Sequence, residues 1–146
     1  MTDMDSVKQW TVLVVDDEPD NIGVVEKLLT FYGAKVWTAS NGMQALQILN
    51  EITPSFILLD LSMSVMDGWE TLKAIQAQQK LAQVPVIALT AHAMSGDLER
   101  VQAAGFNGYI PKPLRLATFL MDIRQCLAGG QGRTTDEFRS VESAPR

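Results

Sequence analysis

The chain has 146 residues, 47% of them hydrophobic and 20% charged, which is a size and composition typical of one globular domain. Its formal net charge of -5 argues against a nucleic-acid-binding protein, because such a protein needs clustered lysine and arginine to displace counterions from phosphates. The first ten residues lack the basic end of a secretory signal, and no apolar run approaches the roughly 18 residues of a membrane span, so we expect a cytoplasmic protein without membrane contact.

Apolar segments of strand length alternate with segments of helical period along the chain. The predicted strands cover 11–16, 35–40, 56–60, 84–90 and 108–110, and most are rich in branched or aromatic residues. The predicted helices cover about 19–32, 42–52, 68–80, 95–104 and 114–128. The first helix is followed by Gly33, a residue suited to a C-terminal cap. This alternation predicts an α/β fold with right-handed crossovers and a parallel sheet covered by helices on both faces.

We expect residues 10–128 to form the folded domain, between an N-terminal extension at 1–9 and a flexible tail at 129–146. The tail is rich in glycine and polar residues, and it has too few large apolar side chains to order it alone. The single cysteine, Cys126, lies in an apolar-periodic stretch and is interpreted as a small buried hydrophobic residue in preference to a reactive thiol.

Polar residues gather where the predicted strands end. Ligands of an open α/β sheet bind outside the carboxyl ends of its strands, so these positions are the candidate site. The segment "TVLVVDDEPD" ends its apolar run in adjacent acids, and the third, fourth and fifth strands are also followed or closed by polar residues. The residues at the strand ends are Asp16, Asp17, Asp60, Thr90 and Lys112.

Three carboxylates at one edge of a sheet repel each other unless a cation lies among them. Oxygen ligands suit Mg²⁺, and the single histidine of the chain leaves no imidazole cluster for a softer metal. The acid pair alone has a second interpretation, because acids after a strand also favour the start of a helix. A flavin or nucleotide site is disfavoured, since "DDEPD" places anions where such sites bind phosphate, and neither a GxGxxG nor a P-loop pattern occurs.

The motifs "VVDDE", "LLDLSMSVMDG", "ALTA" and "YIPKP" together resemble the receiver domain of two-component response regulators, over about residues 10–128. The resemblance implies a flavodoxin-like sheet with the strand order 2-1-3-4-5. It also implies that Asp60 is the phosphoacceptor and that Asp16, Asp17, Asp60 and the backbone carbonyl of Ser62 hold Mg²⁺.

Further roles follow from the same resemblance. Lys112 corresponds to the cation that contacts the phosphoryl group, and we expect it to act in catalysis with the Thr90 hydroxyl by offsetting the charge of the group that Asp60 receives. Thr90 also corresponds to the switch hydroxyl and Tyr109 to the aromatic residue that changes rotamer with it. The Lys112–Pro113 peptide bond corresponds to a cis bond. Two positions are of separate interest: Ser64 replaces the proline usual in this family, and His92 lies where family members vary and where side chains influence loss of the phosphoryl group.

The resemblance therefore implies a phosphorylated switch and not an enzyme in its own right. We expect Asp60 to accept a phosphoryl group, with Mg²⁺, from a histidine kinase or a histidine phosphotransfer protein. The sequence contains no predicted output domain, so the signal is expected to pass to another protein. The alternative is a pseudo-receiver that has lost phosphorylation and acts only as an interaction module.

Overall fold

The computed structural model describes residues 7–63, 65–91 and 95–129. Ser64 and His92, two positions of interest in the candidate site, lie outside these residues. So do positions 1–6 and 130–146, which include most of the predicted extension and tail. The predictions made for them therefore remain predictions.

Five strands form one parallel sheet in the order β2-β1-β3-β4-β5, so that β2 and β5 are its outer strands. Their bounds are Thr11–Val15 for β1, Lys35–Ala39 for β2, Phe56–Asp60 for β3, Val86–Thr90 for β4 and Gly108–Pro111 for β5. The predicted α/β fold class and the strand order of a flavodoxin-like receiver are both confirmed.

Five helices alternate with these strands. They are α1 at Pro19–Phe31, α2 at Gly42–Leu49, α3 at Gly68–Gln76, α4 at Ser95–Ala104 and α5 at Phe119–Gly129, with a short 3₁₀ turn at Gln79–Leu81. In the part of the chain that the structure describes, none of these helices combines the length and apolar character needed to cross a bilayer.

By internal packing the chain divides into two compact units, Met1–Val86 and Ile87–Arg146. In the first unit, β1 is hydrogen-bonded on one side to β2 and on the other to β3. Every residue of β3 is buried, as are four of the five residues of β1, which explains why both read as unbroken apolar runs. The ring of Trp10 meets that of Phe56 edge to face, with centroids 5.1 Å apart, and closes the amino end of this core.

The second unit contains the rest of β4, which pairs with β5, and helices α4 and α5. Its core is formed by buried side chains from the segment before β5, from β5 itself and from one face of α5: Phe106, Ile110, Phe119, Ile123 and Cys126.

Cys126 is buried as predicted, and its thiol donates a long hydrogen bond of 3.8 Å to the carbonyl of Tyr109. Burial, with a smaller contribution from the nearby carboxylate of Asp122, raises the pKa of Cys126 to about 12. This thiol is a packing group and not a nucleophile at neutral pH.

The last helix begins later than the sequence predicted, at Phe119 in place of position 114. The intervening residues form turns instead, with the Thr118 amide donating to the Arg115 carbonyl at 3.1 Å. The Thr118 hydroxyl donates to the Asp122 carboxylate at 3.2 Å, and the Asp122 amide donates to the Thr118 carbonyl at 2.8 Å. The hydrogen bonds of Thr118 therefore mark the start of the helix. The sequence predicted an earlier start because Leu114 continues the helical spacing of apolar residues.

Smaller differences have similar local causes. β4 begins at Val86 and not at position 84, because the preceding Pro85 has no amide to donate to a ladder. The prediction that Gly33 ends the first helix is confirmed: it has φ of 101°, and its amide donates to the Thr30 carbonyl at 2.9 Å. A left-handed conformation of this kind is accessible to glycine without a steric penalty.

Candidate functional site

Three acidic side chains come together at the carboxyl ends of β1 and β3. Asp16, Asp17 and Asp60 each place a carboxylate oxygen within 4.8 Å of the oxygens of the other two. Asp16 and Asp60 are almost fully buried, at 1% and 2% exposure, and Asp17 is half-buried. Because β1 and β3 are parallel neighbours with Val15 opposite Leu59, the residues that follow these positions emerge at the same edge of the sheet. The sequence prediction that these acids converge is borne out by their positions.

The chain itself fixes the orientation of Asp16. One of its carboxylate oxygens accepts a hydrogen bond from the Glu18 amide at 2.9 Å, and the other lies 3.4 Å from the side-chain nitrogen of Asn21. Helix α1 then begins with Pro19 and has no side-chain cap from Glu18. The acid pair therefore contributes to the turn before the helix through Asp16, and it contributes to the cluster at the same time.

Asp60 is oriented by the loop that follows it. The carboxylate of Asp60 accepts a hydrogen bond from the Ser62 amide at 3.2 Å. Every residue of β3 is buried, so the backbone that carries this carboxylate is closely packed. The sequence pointed to Ser62 for its carbonyl, and the structure adds that the amide of the same residue contacts the phosphoacceptor candidate.

The donor set of this cluster fits a hard divalent cation. Its three ligand groups are all carboxylates, which suit Mg²⁺ or Ca²⁺ better than the softer metals. Mg²⁺ is held in proteins by one or two carboxylates and keeps several waters, so a cluster with one half-buried member suits it well. Three carboxylates this close also repel one another, and a cation offsets that repulsion.

The second unit carries the remaining residues that the sequence indicated. Thr90 is 3% exposed at the end of β4, and its carbonyl accepts a hydrogen bond of 2.8 Å from the Lys112 amide. Lys112 and Tyr109 are both half-buried, and Tyr109 lies opposite Ala88 in the β4–β5 ladder. The main chain thus ties Thr90 to Lys112. The predicted cis bond between Lys112 and Pro113 is confirmed.

Two contacts of the site were not predicted from the sequence. Asn21 contacts Asp16 because the first turn of α1 returns over the end of β1. A polar residue about one helical turn after an acid pair is a common pattern, so the sequence did not indicate the contact between Asn21 and Asp16. The Ser62 amide is invisible to sequence patterns, because every non-proline residue has the same donor.

Similar proteins place these features in a known context. A family model described as the response regulator receiver domain matches residues 12–124. The chain is 33% identical over 117 residues to the polar-differentiation response regulator DivK of Brucella anthropi, a match that covers 80% of this chain and 95% of that protein.

Solved structures agree with this match. One is the receiver domain of a sensor histidine kinase from Pseudomonas aeruginosa PAO1, which has a magnesium ion coordinated in its active-site cleft. It has a TM-score of 0.73 and 34% identity, with 82% of this chain and 98% of that one covered. The chemotaxis response regulator CheY4 of Vibrio cholerae has a TM-score of 0.76 and 29% identity, with 80% and 97% covered. The family match contains all three acids of the cluster.

Proposed function

Because the chain belongs to the receiver-domain family of response regulators, whose members act as phosphoacceptor switches, we propose that it is a switch phosphorylated on Asp60. One observation carries this proposal: the carboxylate oxygens of Asp16, Asp17 and Asp60 lie within 4.8 Å of one another at the ends of two buried strands. An acceptor buried in this way is protected from bulk water and oriented by its neighbours, as phosphoryl transfer requires.

Asp17 and Asp60 would hold Mg²⁺, with the backbone carbonyl of Ser62 as a further ligand. Asp16 would act beside them, since hydrogen bonds from Glu18 and Asn21 already fix its carboxylate. When bound, the ion supplies positive charge that offsets the negative oxygens of an incoming phosphoryl group. The magnesium ion in the cleft of the Pseudomonas receiver domain supports this assignment.

The chemistry at Asp60 is a simple displacement. A carboxylate oxygen of Asp60 attacks the phosphorus of the donor, and the bond from phosphorus to the donor's imidazole nitrogen breaks. The product is an acyl phosphate, and the released imidazole takes up a proton from solvent. The Ser62 amide orients the Asp60 carboxylate by donating to one of its oxygens at 3.2 Å. Later hydrolysis returns the carboxylate and inorganic phosphate.

Lys112 and Thr90 are proposed to act on the phosphoryl group itself. The Lys112 ammonium would contact its oxygens and stabilise the charge of the transferring group. The Thr90 hydroxyl would contact the same oxygens, and its contact with the phosphorylated Asp60 would favour one of two conformations. Tyr109 would change rotamer in response. The hydrogen bond from the Lys112 amide to the Thr90 carbonyl supports a shared movement, because a shift of either backbone alone would lengthen that bond.

The proposed phosphodonor is a histidine kinase or a histidine phosphotransfer protein, and the proposed output is contact with another protein. The names of the relatives support the first part, since they include response regulators and a receiver domain of a sensor histidine kinase.

Intact-mass spectrometry with acetyl phosphate tests the proposal. We expect addition of one phosphoryl group to the wild-type chain when Mg²⁺ is present and none when the metal is chelated. Asp60→Asn should abolish the addition, whereas Asp20→Asn, which alters an exposed acid outside the cluster, should retain it. Modification that survives Asp60→Asn would show that another residue is the acceptor. Failure of the wild type to react with either acetyl phosphate or beryllofluoride would favour the pseudo-receiver.

A further inference from the structure

The first residue of α3, Gly68, lies directly on the backbone of Asp60. A Cβ atom at this position would lie 2.7 Å from the Leu61 Cα and 3.1 Å from the Asp60 carbonyl carbon, and closer still to the Asp60 carbonyl oxygen. All three are backbone atoms, so no side-chain rotation could make room for a methyl group. The backbone at the end of β3 would have to move until separations of about 3.5 Å were restored.

The loop between Asp60 and Gly68 is closed by hydrogen bonds at both ends. The Ser62 amide donates to the Asp60 carboxylate at 3.2 Å, and the Gly68 amide donates to the Leu61 carbonyl at 3.2 Å. Helix α3 holds its own end in place through a capping box, in which Asp67 accepts from the Glu70 amide at 2.9 Å. The start of α3 is thereby pressed against the peptide that carries the phosphoacceptor.

The loop between Asp60 and Gly68 contains a residue with a strained backbone, which indicates that both ends of the loop are firmly held. Val65 has φ of 70°, a left-handed conformation that is a genuine outlier for a β-branched residue. Its side chain is 77% exposed, so packing of that side chain does not explain the conformation. Backbone strain of this kind persists where the surrounding structure over-determines it, and it concentrates beside functional sites.

We propose that Gly68 is a positioning residue for Asp60, and that the absence of its side chain sets the distance from the Asp60 carboxylate to those of Asp16 and Asp17. The inference rests on the proposed function, because the position of Asp60 affects Mg²⁺ binding only if Asp60 is a metal ligand. A methyl group at position 68 displaces the Asp60–Leu61 peptide. The Ser62 amide and carbonyl, one residue further on, move with it.

Gly108, the first residue of β5, offers a control. It is also buried and has no left-handed φ, so the two glycines are alike in these respects. A Cβ atom at Gly108 would lie 2.6 Å from the Cys126 sulfur and 2.9 Å from the Cys126 Cβ. The three atoms nearest to that Cβ all belong to Cys126 on α5, and none belongs to α3 or to the loop after Asp60. Gly108→Ala therefore crowds a buried position while leaving the acceptor in place.

The test compares the two variants by Mg²⁺ titration in calorimetry and by backbone amide shifts of the metal-free proteins. We expect Gly68→Ala to weaken Mg²⁺ binding by about tenfold or more, as changes to groups that orient a metal ligand commonly do. It should also shift the Ser62 amide in the absence of metal. Gly108→Ala should retain wild-type affinity even if it loses as much thermal stability. Equal Mg²⁺ affinity in the two variants would overturn the inference, whereas absence of Mg²⁺ binding by the wild type would instead overturn the proposed function.

A second set of variants applies if Gly68→Ala does not fold. Asp67→Ala removes the cap that seats α3, whereas Asp67→Asn removes the same charge and keeps a capping side chain. Asn41 caps α2 in the same way, by accepting from the Gln44 amide at 2.9 Å, and Asn41→Ala is the control for loss of a cap elsewhere. Only Asp67→Ala should weaken Mg²⁺ binding, by several-fold. A weakening of the same size in Asp67→Asn, or none in Asp67→Ala, would overturn the inference.

Discussion

The carboxyl ends of β1 and β3 carry a different chemistry from the carboxyl ends of β4 and β5. The first pair presents three carboxylates, Asp16, Asp17 and Asp60, and the first and last of them accept backbone amide hydrogen bonds. The second pair presents a hydroxyl and an ammonium, on Thr90 and Lys112. Carboxylates suit a cation, whereas a hydroxyl and an ammonium suit the oxygens of an anion. Metal binding and response to phosphorylation should therefore be separable by mutation.

The largest effect is expected from the loss of Lys112. Replacing one charged group that stabilises a transition state commonly slows a reaction by about 10²-fold, so Lys112→Ala should slow phosphorylation of Asp60 by acetyl phosphate by about that factor. Its Mg²⁺ affinity should not fall, because an ammonium is not a metal ligand. Calorimetry and time-resolved intact mass measure the two quantities, with the exposed Lys80→Ala as control. A parallel loss of Mg²⁺ binding would remove the distinction between the two pairs of strand ends.

Replacement of Asp17 is expected to have a smaller effect, and its primary effect should be on Mg²⁺ binding. Asp17→Asn should weaken Mg²⁺ binding by about tenfold, which corresponds to ~1.4 kcal/mol. Phosphorylation should slow at low Mg²⁺ and recover as the metal concentration is raised. Asp20→Asn, a change of the same chemistry on the exposed first turn of α1, should bind the metal as the wild type does. A rate that stays low at saturating Mg²⁺ would assign Asp17 a role beyond metal binding.

Thr90 should affect the response to phosphorylation and leave metal binding unchanged. With beryllofluoride and Mg²⁺, the amide resonance of Tyr109 should shift in the wild type and in Thr90→Ser, which keeps the hydroxyl, but not in Thr90→Ala. Binding of beryllofluoride itself should survive in all three, because Asp60 and the metal are unchanged. The buried hydroxyl also contributes to stability, so a loss of about 1 kcal/mol in Thr90→Ala is expected and is measured by urea denaturation. Identical Tyr109 shifts in the two variants would exclude Thr90 as the switch.

The effect that is smallest at pH 9 concerns stability at alkaline pH, and it grows as pH rises further. Because the folded pKa of Cys126 is raised to about 12 from an ordinary value of 9.0, the unfolded chain loses this proton first. The contribution to stability is complete below pH 9 and declines as pH rises through 9 toward 12, with a loss of about 0.4 kcal/mol at pH 9 itself. Urea denaturation of the wild type and Cys126→Ala across this range isolates the contribution. Parallel stability curves above pH 9 would contradict it.

Much of the fold was predictable because its strands are buried on both faces. Apolar runs such as those ending at Asp16 and Asp60 mark central strands, and the alternation with helices then brings their ends to one edge. The start of α5 was not predictable in the same way. Leu114 continues the helical period, and only the hydrogen bonds of Thr118 show that the intervening residues form turns.

The convergence of the three acids was predictable from the sequence, whereas the backbone contacts around them were not. The acids are recognisable from their positions at strand ends. The Ser62 amide and the packing of Gly68 on Leu61 depend on how the loop folds back, and no residue pattern specifies that path. Sequence thus indicated which carboxylates would come together, and tertiary structure shows which backbone groups contact them.

The outer strands of the sheet have a bearing on self-association. β2 begins with the exposed Lys35, and a charge on an outer strand hinders the addition of a further strand. On β5, the Lys112 amide points inward to the Thr90 carbonyl, so the nitrogen of the preceding Pro111 points outward, where proline has no hydrogen to donate. A further strand would meet the charged side chain of Lys35 at the β2 edge, and at the β5 edge it would meet a proline nitrogen that has no hydrogen to donate. Both edge strands therefore carry features that disfavour the edge-to-edge pairing through which exposed strands polymerise.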